Sequence, residues 1–98
     1  MRKCLEIIFS ANELETLANR FKALADPTRL QILAAICDRE MTVQEICDRT
    51  GLKQANVSGH LKLMRDAGVL GCRRSGSWRY YRVIDTDLLA LCAHIHNK

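Results

Sequence analysis

The chain has 98 residues, which fits a single domain over residues 1–98, and its hydrophobic fraction of 48% is enough for a packed core. The net charge is +4, and no segment has the length and apolar character of a membrane span. The opening MRKCLEIIFSANELE lacks the long apolar stretch and cleavage site of a signal peptide, so we expect a cytoplasmic protein with no membrane partner.

Two helix starts can be recognised in the first third of the chain. Ser10 and Glu13 have the spacing of a capping box, which predicts a helix from about Ala11, with or without an added turn before Ser10. Asp26 and Pro27 predict a second start, because Asp can cap free N–H groups and Pro suits the first helical position. The apolar stripe expected on this second helix comprises Leu30, Leu33, Ala34 and Cys37.

A second capping box, Thr42 with Glu45, predicts a short helix that ends at Gly51, a residue suited to a left-handed C-terminal cap. A longer helix is expected from Lys53 or Gln54 up to Gly68. Its predicted inner face comprises Val57, Leu61 and Met64.

The period then changes to that of strands, over residues 69–74 and 78–83, with a turn at residues 75–77. Asp85 can cap a last helix. The apolar face of that helix comprises Leu88, Leu91, Cys92 and Ile95. The predicted fold is therefore mainly α with a small β-hairpin, in the order ααααββα, which is the arrangement of a winged helix-turn-helix.

Positive charge is concentrated in residues 53–82. Seven Lys and Arg residues and one Asp give this segment +6, and since the whole chain carries +4, the remainder carries −2. Such asymmetry is typical of a face that binds a polyanion, and the B-DNA major groove admits an α-helix. The sequence therefore predicts double-stranded DNA as the partner.

Base contacts are expected from Gln54, Asn56 and Ser58, because residues near the start of the second helix of this motif read base edges. Further contacts, mainly to phosphates, are expected from Lys53, His60, Lys62, Arg65, Arg73, Arg74 and Arg79. A monomer of this size would make few contacts, so a homodimer through the first and last helices is expected.

Three runs of sequence together resemble the ArsR/SmtB family of bacterial repressors. They are ALADPTRLQIL at residues 23–33, LKQANVSGHLKLMRDAGVL at 52–70 and RRSGSWRYYRV at 73–83. The resemblance implies a winged helix-turn-helix homodimer that binds operator DNA and releases it when a metal ion binds or a thiol is modified. It also implies that Gln54 and Ser58 contact DNA.

The sensor sites of the family match this chain poorly. Many arsenic and cadmium sensors carry ELCVCDL in the short helix, but the matching run here is EMTVQEI, with Thr42 and Gln44 in place of the cysteines. Zinc and nickel sensors use two pairs of ligands on the last helix. Asp85 and Asp87 match the first pair, whereas the second would fall at or beyond Lys98, so this site is expected to be incomplete.

The five cysteines form no CxxC motif and are expected to be thiols. Cys92 is the main sensor candidate, with His96 one turn further along and additional ligands from Cys4, Cys72 or the other subunit. Cys37 and Cys92 also resemble the pair of persulfide sensors, although Cys37 lies about one turn late. The alternative for Cys4, Cys37, Cys47 and Cys92 is that each packs as a small apolar residue.

The expected function is that of an inducer-responsive repressor that leaves its operator when a thiophilic metal or metalloid, such as As(III), binds cysteines. A thiol-based redox or persulfide sensor and a ligand-independent DNA-binding regulator remain open as alternatives. An enzyme is not expected, because the chain contains no CxxC, Gly-rich phosphate loop or HExxH.

Overall fold

The computed structural model describes residues 9–97, which form five helices and a two-stranded antiparallel sheet. The elements are α1 (Ala11–Leu24), α2 (Pro27–Ala35), α3 (Val43–Thr50), α4 (Gln54–Asp66), β1 (Leu70–Ser75), β2 (Trp78–Val83) and α5 (Thr86–His96). This order confirms the predicted ααααββα fold. None of the helices in the described part of the chain is long and apolar enough to cross a membrane. Cys4 and the added turn considered before Ser10 fall outside the described residues.

The helices begin where side chains satisfy their free N–H groups. In α1, the N–H of Glu13 donates to Ser10 Oγ at 3.2 Å, and the N–H of Ser10 donates to Glu13 Oε1 at 2.9 Å. Thr42 and Glu45 form the same reciprocal pair at the start of α3. Asp26 accepts an N–H from the first turn of α2. Both capping boxes and the Asp-Pro start are therefore confirmed.

The core lies between α2, α3, α4 and the start of β1. Its largest fully buried side chains are Ile32, Ile36, Ile46, Val57, Leu61, Met64, Val69 and Leu70. The predicted inner face of α4 is thus confirmed. Full burial of each such side chain stabilises the fold by about 1.5–3 kcal/mol, so α4 is firmly attached along its inner side.

The stripe predicted on α2 is wrong as a core face. Leu33 is buried, but the core takes the neighbouring face, where Ile32 and Ala35 are also buried. The other predicted members, Leu30, Ala34 and Cys37, are exposed. Since α2 ends at Ala35, Cys37 lies beyond the helix and does not pack as a small apolar residue.

The hairpin turn is shorter than predicted. Ser75 pairs with Trp78, so only Gly76 and Ser77 form the turn, and Ser75 belongs to β1. Gly76 has a φ of 61°, a left-handed conformation that glycine adopts without steric cost. The two-residue turn sets the register of the whole hairpin.

The hairpin is attached to the body of the protein through the segment ahead of α3. Met41 and Tyr81 exchange two backbone hydrogen bonds, at 2.9 Å and 2.8 Å, so Met41 pairs with β2 as a third short strand segment. Because α3 is capped by the next residue, Thr42, the start of α3 is held beside β2.

A single carboxylate joins α1 to α5. Asp85 is buried, and its Oδ1 accepts the N–H of Leu88 at 3.1 Å, which caps α5 as predicted. Its Oδ2 accepts a hydrogen bond from Arg20 Nε at 2.6 Å, and Arg20 Nη2 completes the ion pair. Both carboxylate oxygens are therefore occupied within the chain.

We expect Asp85→Ala to lower the free energy of unfolding by about 2–4 kcal/mol, because it removes a helix cap and leaves the Arg20 guanidinium without its carboxylate. Arg20 is about one-third exposed, which limits the loss. Chemical denaturation would measure it. The control is Asp87→Ala in the exposed first turn of the same helix, expected to cost about 0.3–1 kcal/mol through the helix dipole. Equal losses in the two variants would contradict the role assigned to Asp85.

Candidate nucleic-acid interface

The turn between α3 and α4 is held by local hydrogen bonds. Gly51 has a φ of 78°, which confirms the predicted left-handed cap. Thr50 Oγ1 donates to the carbonyl of Ile46 at 2.7 Å and accepts the N–H of Leu52 at 3.2 Å. From α2, Gln31 Nε2 donates to the Thr50 carbonyl at 3.2 Å. The angle between α3 and α4 is therefore fixed by the fold.

The outward side of α4 carries the predicted base-reading residues. Gln54, Ser58 and Lys62 are all exposed and, at intervals of four, form one row along the helix. Asn56, also exposed, and the half-buried His60 belong to a second row on the other side of the outward face. The structure thus divides the predicted contact residues of α4 between two rows, one on each side of its outward face.

The first row borders the hairpin. Gln54 and Arg79 line one shallow cleft, which we call the wing cleft. Its other lining residues are Thr42, Val43, Gln44, Ser77, Trp78 and Tyr81. The first turns of α3 and α4 thereby meet β2 at one surface.

One member of the second row, His60, contacts Arg29 of α2. Arg29 Nε donates to the carbonyl of Ala23 at 2.7 Å, and its Nη1 lies 3.4 Å from His60 Nδ1. A guanidinium can only donate, so His60 Nδ1 is the acceptor side of this contact. Sequence reasoning did not identify Arg29, although it lies in the DPTR run.

The start of α4 is left open to a partner. Lys53 occupies the N-cap position but makes no side-chain capping hydrogen bond, whereas Ser10, Asp26, Thr42 and Asp85 cap the other helices. Free N–H groups at a helix start attract phosphate. Further along, Lys62 Nζ pairs with Asp66 at 2.8 Å, an exposed contact that a phosphate could replace at little cost.

The arginines of the hairpin fall on two faces. Arg74 lies directly opposite Arg79 in the register, on the face that carries Tyr81. Like charges opposite each other destabilise a sheet. Neither Arg74 nor Arg79 forms an ion pair within residues 9–97. This pair therefore suits a bound polyanion, whose charge would offset the repulsion.

Arg73 has a different environment from the one predicted for it. It lies on the opposite face of the hairpin, where its Nε donates to both oxygens of Glu40, at 2.8 Å and 3.0 Å. Its guanidinium also lies 4.7 Å from the centre of the Tyr80 ring. The hydrogen bond from Arg73 lowers the pKa of Glu40 below its ordinary value. Arg73 thus anchors the hairpin to the α2–α3 loop, and Glu40, 33 residues away, gave no sequence signal.

Within residues 9–97, the structure does not gather the candidate sensing residues into one cluster. Cys92 is half-buried against the core on α5, Cys37 is exposed beyond α2, and His96 is exposed near the end of α5. Cys72 lies opposite Tyr81, and burial together with this thiol raises the pKa of the Tyr81 phenol. Among residues 9–97, no three His, Cys, Asp or Glu side chains are grouped as metal ligands would be.

The two metal sites of the resembling family do not fit this chain. At the α3 position, Thr42 Oγ1 is engaged in capping and Gln44 Nε2 donates to Asp48 at 2.9 Å. At the α5 position, Asp85 has both oxygens occupied, by Arg20 and by the first turn of α5. Thr42, Gln44 and Asp85 at these positions are thus all engaged in hydrogen bonds within the chain.

Comparison with known proteins places these features in a recognisable group. A family model described as "Bacterial regulatory protein, arsR family" matches residues 26–70. The chain is 40% identical to a "probable mercury resistance operon repressor" of Streptomyces lividans, over 85% of this chain and 70% of that protein. It is 37% identical to the arsenical resistance operon repressor of Bacillus subtilis, over 74% of this chain and 70% of that protein.

A solved structure shows the same fold. It is a solution structure from Mycobacterium bovis, described as the homodimeric winged helix-turn-helix DNA-binding domain of a possible ArsR-family transcriptional regulator. The match has a TM-score of 0.79 and 34% identity, and it covers 88% of this chain and 80% of that one. The match includes the winged helix-turn-helix arrangement that the sequence predicted.

We expect Arg79→Gln and Arg74→Gln each to make the affinity for duplex DNA less dependent on salt. In a plot of the logarithm of the binding constant against the logarithm of the salt concentration, the slope should become shallower by about 0.9 for each protomer bound. Arg73→Gln is the matched control, because Arg73 faces Glu40 on the other side of the hairpin. Fluorescence anisotropy over a salt series would measure the slopes. Equal changes in all three variants would contradict the division of the arginines between two faces.

Proposed function

Because the chain belongs to the arsR family of regulatory proteins, we propose that it is a transcriptional repressor that binds operator DNA as a homodimer. The observation that carries this proposal is the pairing of an exposed polar row on α4 with Arg79 at the wing cleft. Gln54 and Ser58 of that row would read base edges in the major groove. Arg74 and Arg79 would contact the backbone beside it.

The proposed dimer surface consists of α1, α5 and Ile84, which directly precedes the cap of α5. Most of the large apolar side chains that residues 9–97 leave exposed lie there, namely Leu14, Phe21, Ile84, Leu91 and Ile95. Exposed apolar side chains grouped in this way are typical of an interaction surface. The homodimeric state of the Mycobacterium bovis domain supports a dimer for this chain, since that domain shares the fold and a third of the sequence.

We expect Ile95→Glu to convert the dimer to a monomer and to weaken operator binding by at least about 100-fold, because binding of two linked half-sites is lost. Ile95 is 62% exposed in the chain, so the monomer fold should tolerate the change. Sedimentation velocity and anisotropy would follow the two effects. Leu30→Glu, an exposed leucine on α2, is the control that should stay dimeric. A dimeric Ile95→Glu protein would refute the proposed surface.

For the inducer, we propose a thiophilic metal or metalloid such as As(III), bound at Cys92 with Cys4, Cys72 or a residue of the second subunit. The mercury and arsenical resistance repressors named above support this class of inducer. Cys92 lies on the proposed dimer helix, so a ligand there would act on the distance between the two α4 helices. It can do so only through different affinities for the two states of the dimer.

The second candidate is a thiol-based sensor of persulfide or oxidant. The exposure of Cys37 favours it, because oxidants and persulfides react most readily with accessible thiols. In this form, modification of Cys37 and Cys92 would replace metal binding as the inducing event, while the DNA contacts would remain the same.

We expect Cys92→Ser to keep operator affinity and to lose release by the inducer. The assay follows dissociation of the operator complex with As(III), Hg(II), Cd(II), Zn(II) or a persulfide donor. Cys47→Ser, which removes a half-buried thiol on α3, should behave as the unaltered protein. Release of the operator by As(III) from the Cys92→Ser variant would disprove the sensing role of Cys92. Release of the operator from the unaltered protein by the persulfide donor alone would favour the second candidate.

A further inference from the structure

Gly59 is a glycine that the fold does not require. It lies in the middle of α4 and is exposed, and a Cβ at this position would meet no atom of residues 9–97 within 4 Å. Gly51, Gly68 and Gly76 have positive φ angles, and a Cβ on Gly71 would lie 2.9 Å from Ile84. Each of the other glycines therefore has a reason within the protein, and Gly59 has none.

Glycine in a helix interior is less favourable than alanine by an amount that corresponds to about 4 °C or more in Tm for a chain of this size. Position 59 also faces away from the core. At 100° per residue, Gly59 points about 200° away from both Val57 and Leu61, its buried neighbours two residues before and after. The glycine that lowers the stability of α4 therefore lies on the side of the helix that faces away from the core.

We propose that Gly59 is the point of closest approach between α4 and DNA, so that the size of the residue at position 59 determines operator specificity. This inference rests on the proposed DNA-binding function. Asn56 and Lys62 lie three residues before and after Gly59 on the same outward surface. Without a side chain between them, the helix can lie deep enough in the major groove for Asn56 to reach base edges while Lys62 contacts phosphate.

The test is a series of substitutions at this one position, Gly59→Ala, Gly59→Ser and Gly59→Leu. Helix propensity ranks stability in the order Ala, Leu, Ser, Gly, whereas side-chain size increases in the order Gly, Ala, Ser, Leu. The two orders differ, so a steric effect on binding can be separated from an effect of stability. Thermal unfolding and anisotropy with operator and random duplexes supply the readings.

We expect Gly59→Ala to raise Tm by about 4 °C or more while weakening operator binding by about 5- to 10-fold. Gly59→Leu should weaken it by more than about 100-fold, and affinity for random duplex should change little because phosphate contacts remain. Operator affinity in Gly59→Ala equal to that of the unaltered protein would overturn the inference alone. Failure of the unaltered protein to bind any duplex would instead overturn the proposed function.

Discussion

The burial of one side of α4 is the constraint on which the rest of the structure depends. Val57, Leu61 and Met64 have no exposed surface, and they hold the helix against α2, α3 and β1. The same helix therefore serves as core on one side and, in the proposed function, as the surface that contacts DNA on the other. Because the buried side fixes its position, the outward residues can contact a partner without any rearrangement of the fold, which lowers the entropic cost of binding.

Some arginines of this chain are paired with carboxylates, whereas others could contact a partner. Arg20 is paired with Asp85 and Arg73 with Glu40, and each pair joins elements far apart in sequence. Arg74 and Arg79 instead lie opposite each other, and neither pairs with a carboxylate within residues 9–97. The net positive charge of residues 53–82 therefore overstates the charge available at the hairpin, since part of it is neutralised within the protein.

Local signals predicted the helix starts well, because capping boxes such as Ser10 with Glu13 act within a single turn. Apolar periodicity was less informative. It predicted that residues such as Leu30 and Ile95 share a face with other apolar residues, but it could not distinguish a core face from one directed outwards. The face of the hairpin on which Arg73 lies depends on the register in which β1 pairs with β2. A turn one residue longer would have set Arg73, rather than Arg74, opposite Arg79, since a shift of one residue exchanges the faces of a strand.

Thr42 and Asp85, which lie at the family's metal positions, make hydrogen bonds that hold the fold of this chain. This restricts how a signal could reach α4. Thr42 caps α3, and Asp85 caps α5 while binding Arg20 of α1. Cys92 lies seven residues after Asp85, about two helical turns along α5. Since Asp85 fixes the start of α5 to α1, a ligand at Cys92 would displace both helices of the proposed dimer surface together. The signal would therefore alter how the two subunits meet, and not the attachment of α4 within each subunit.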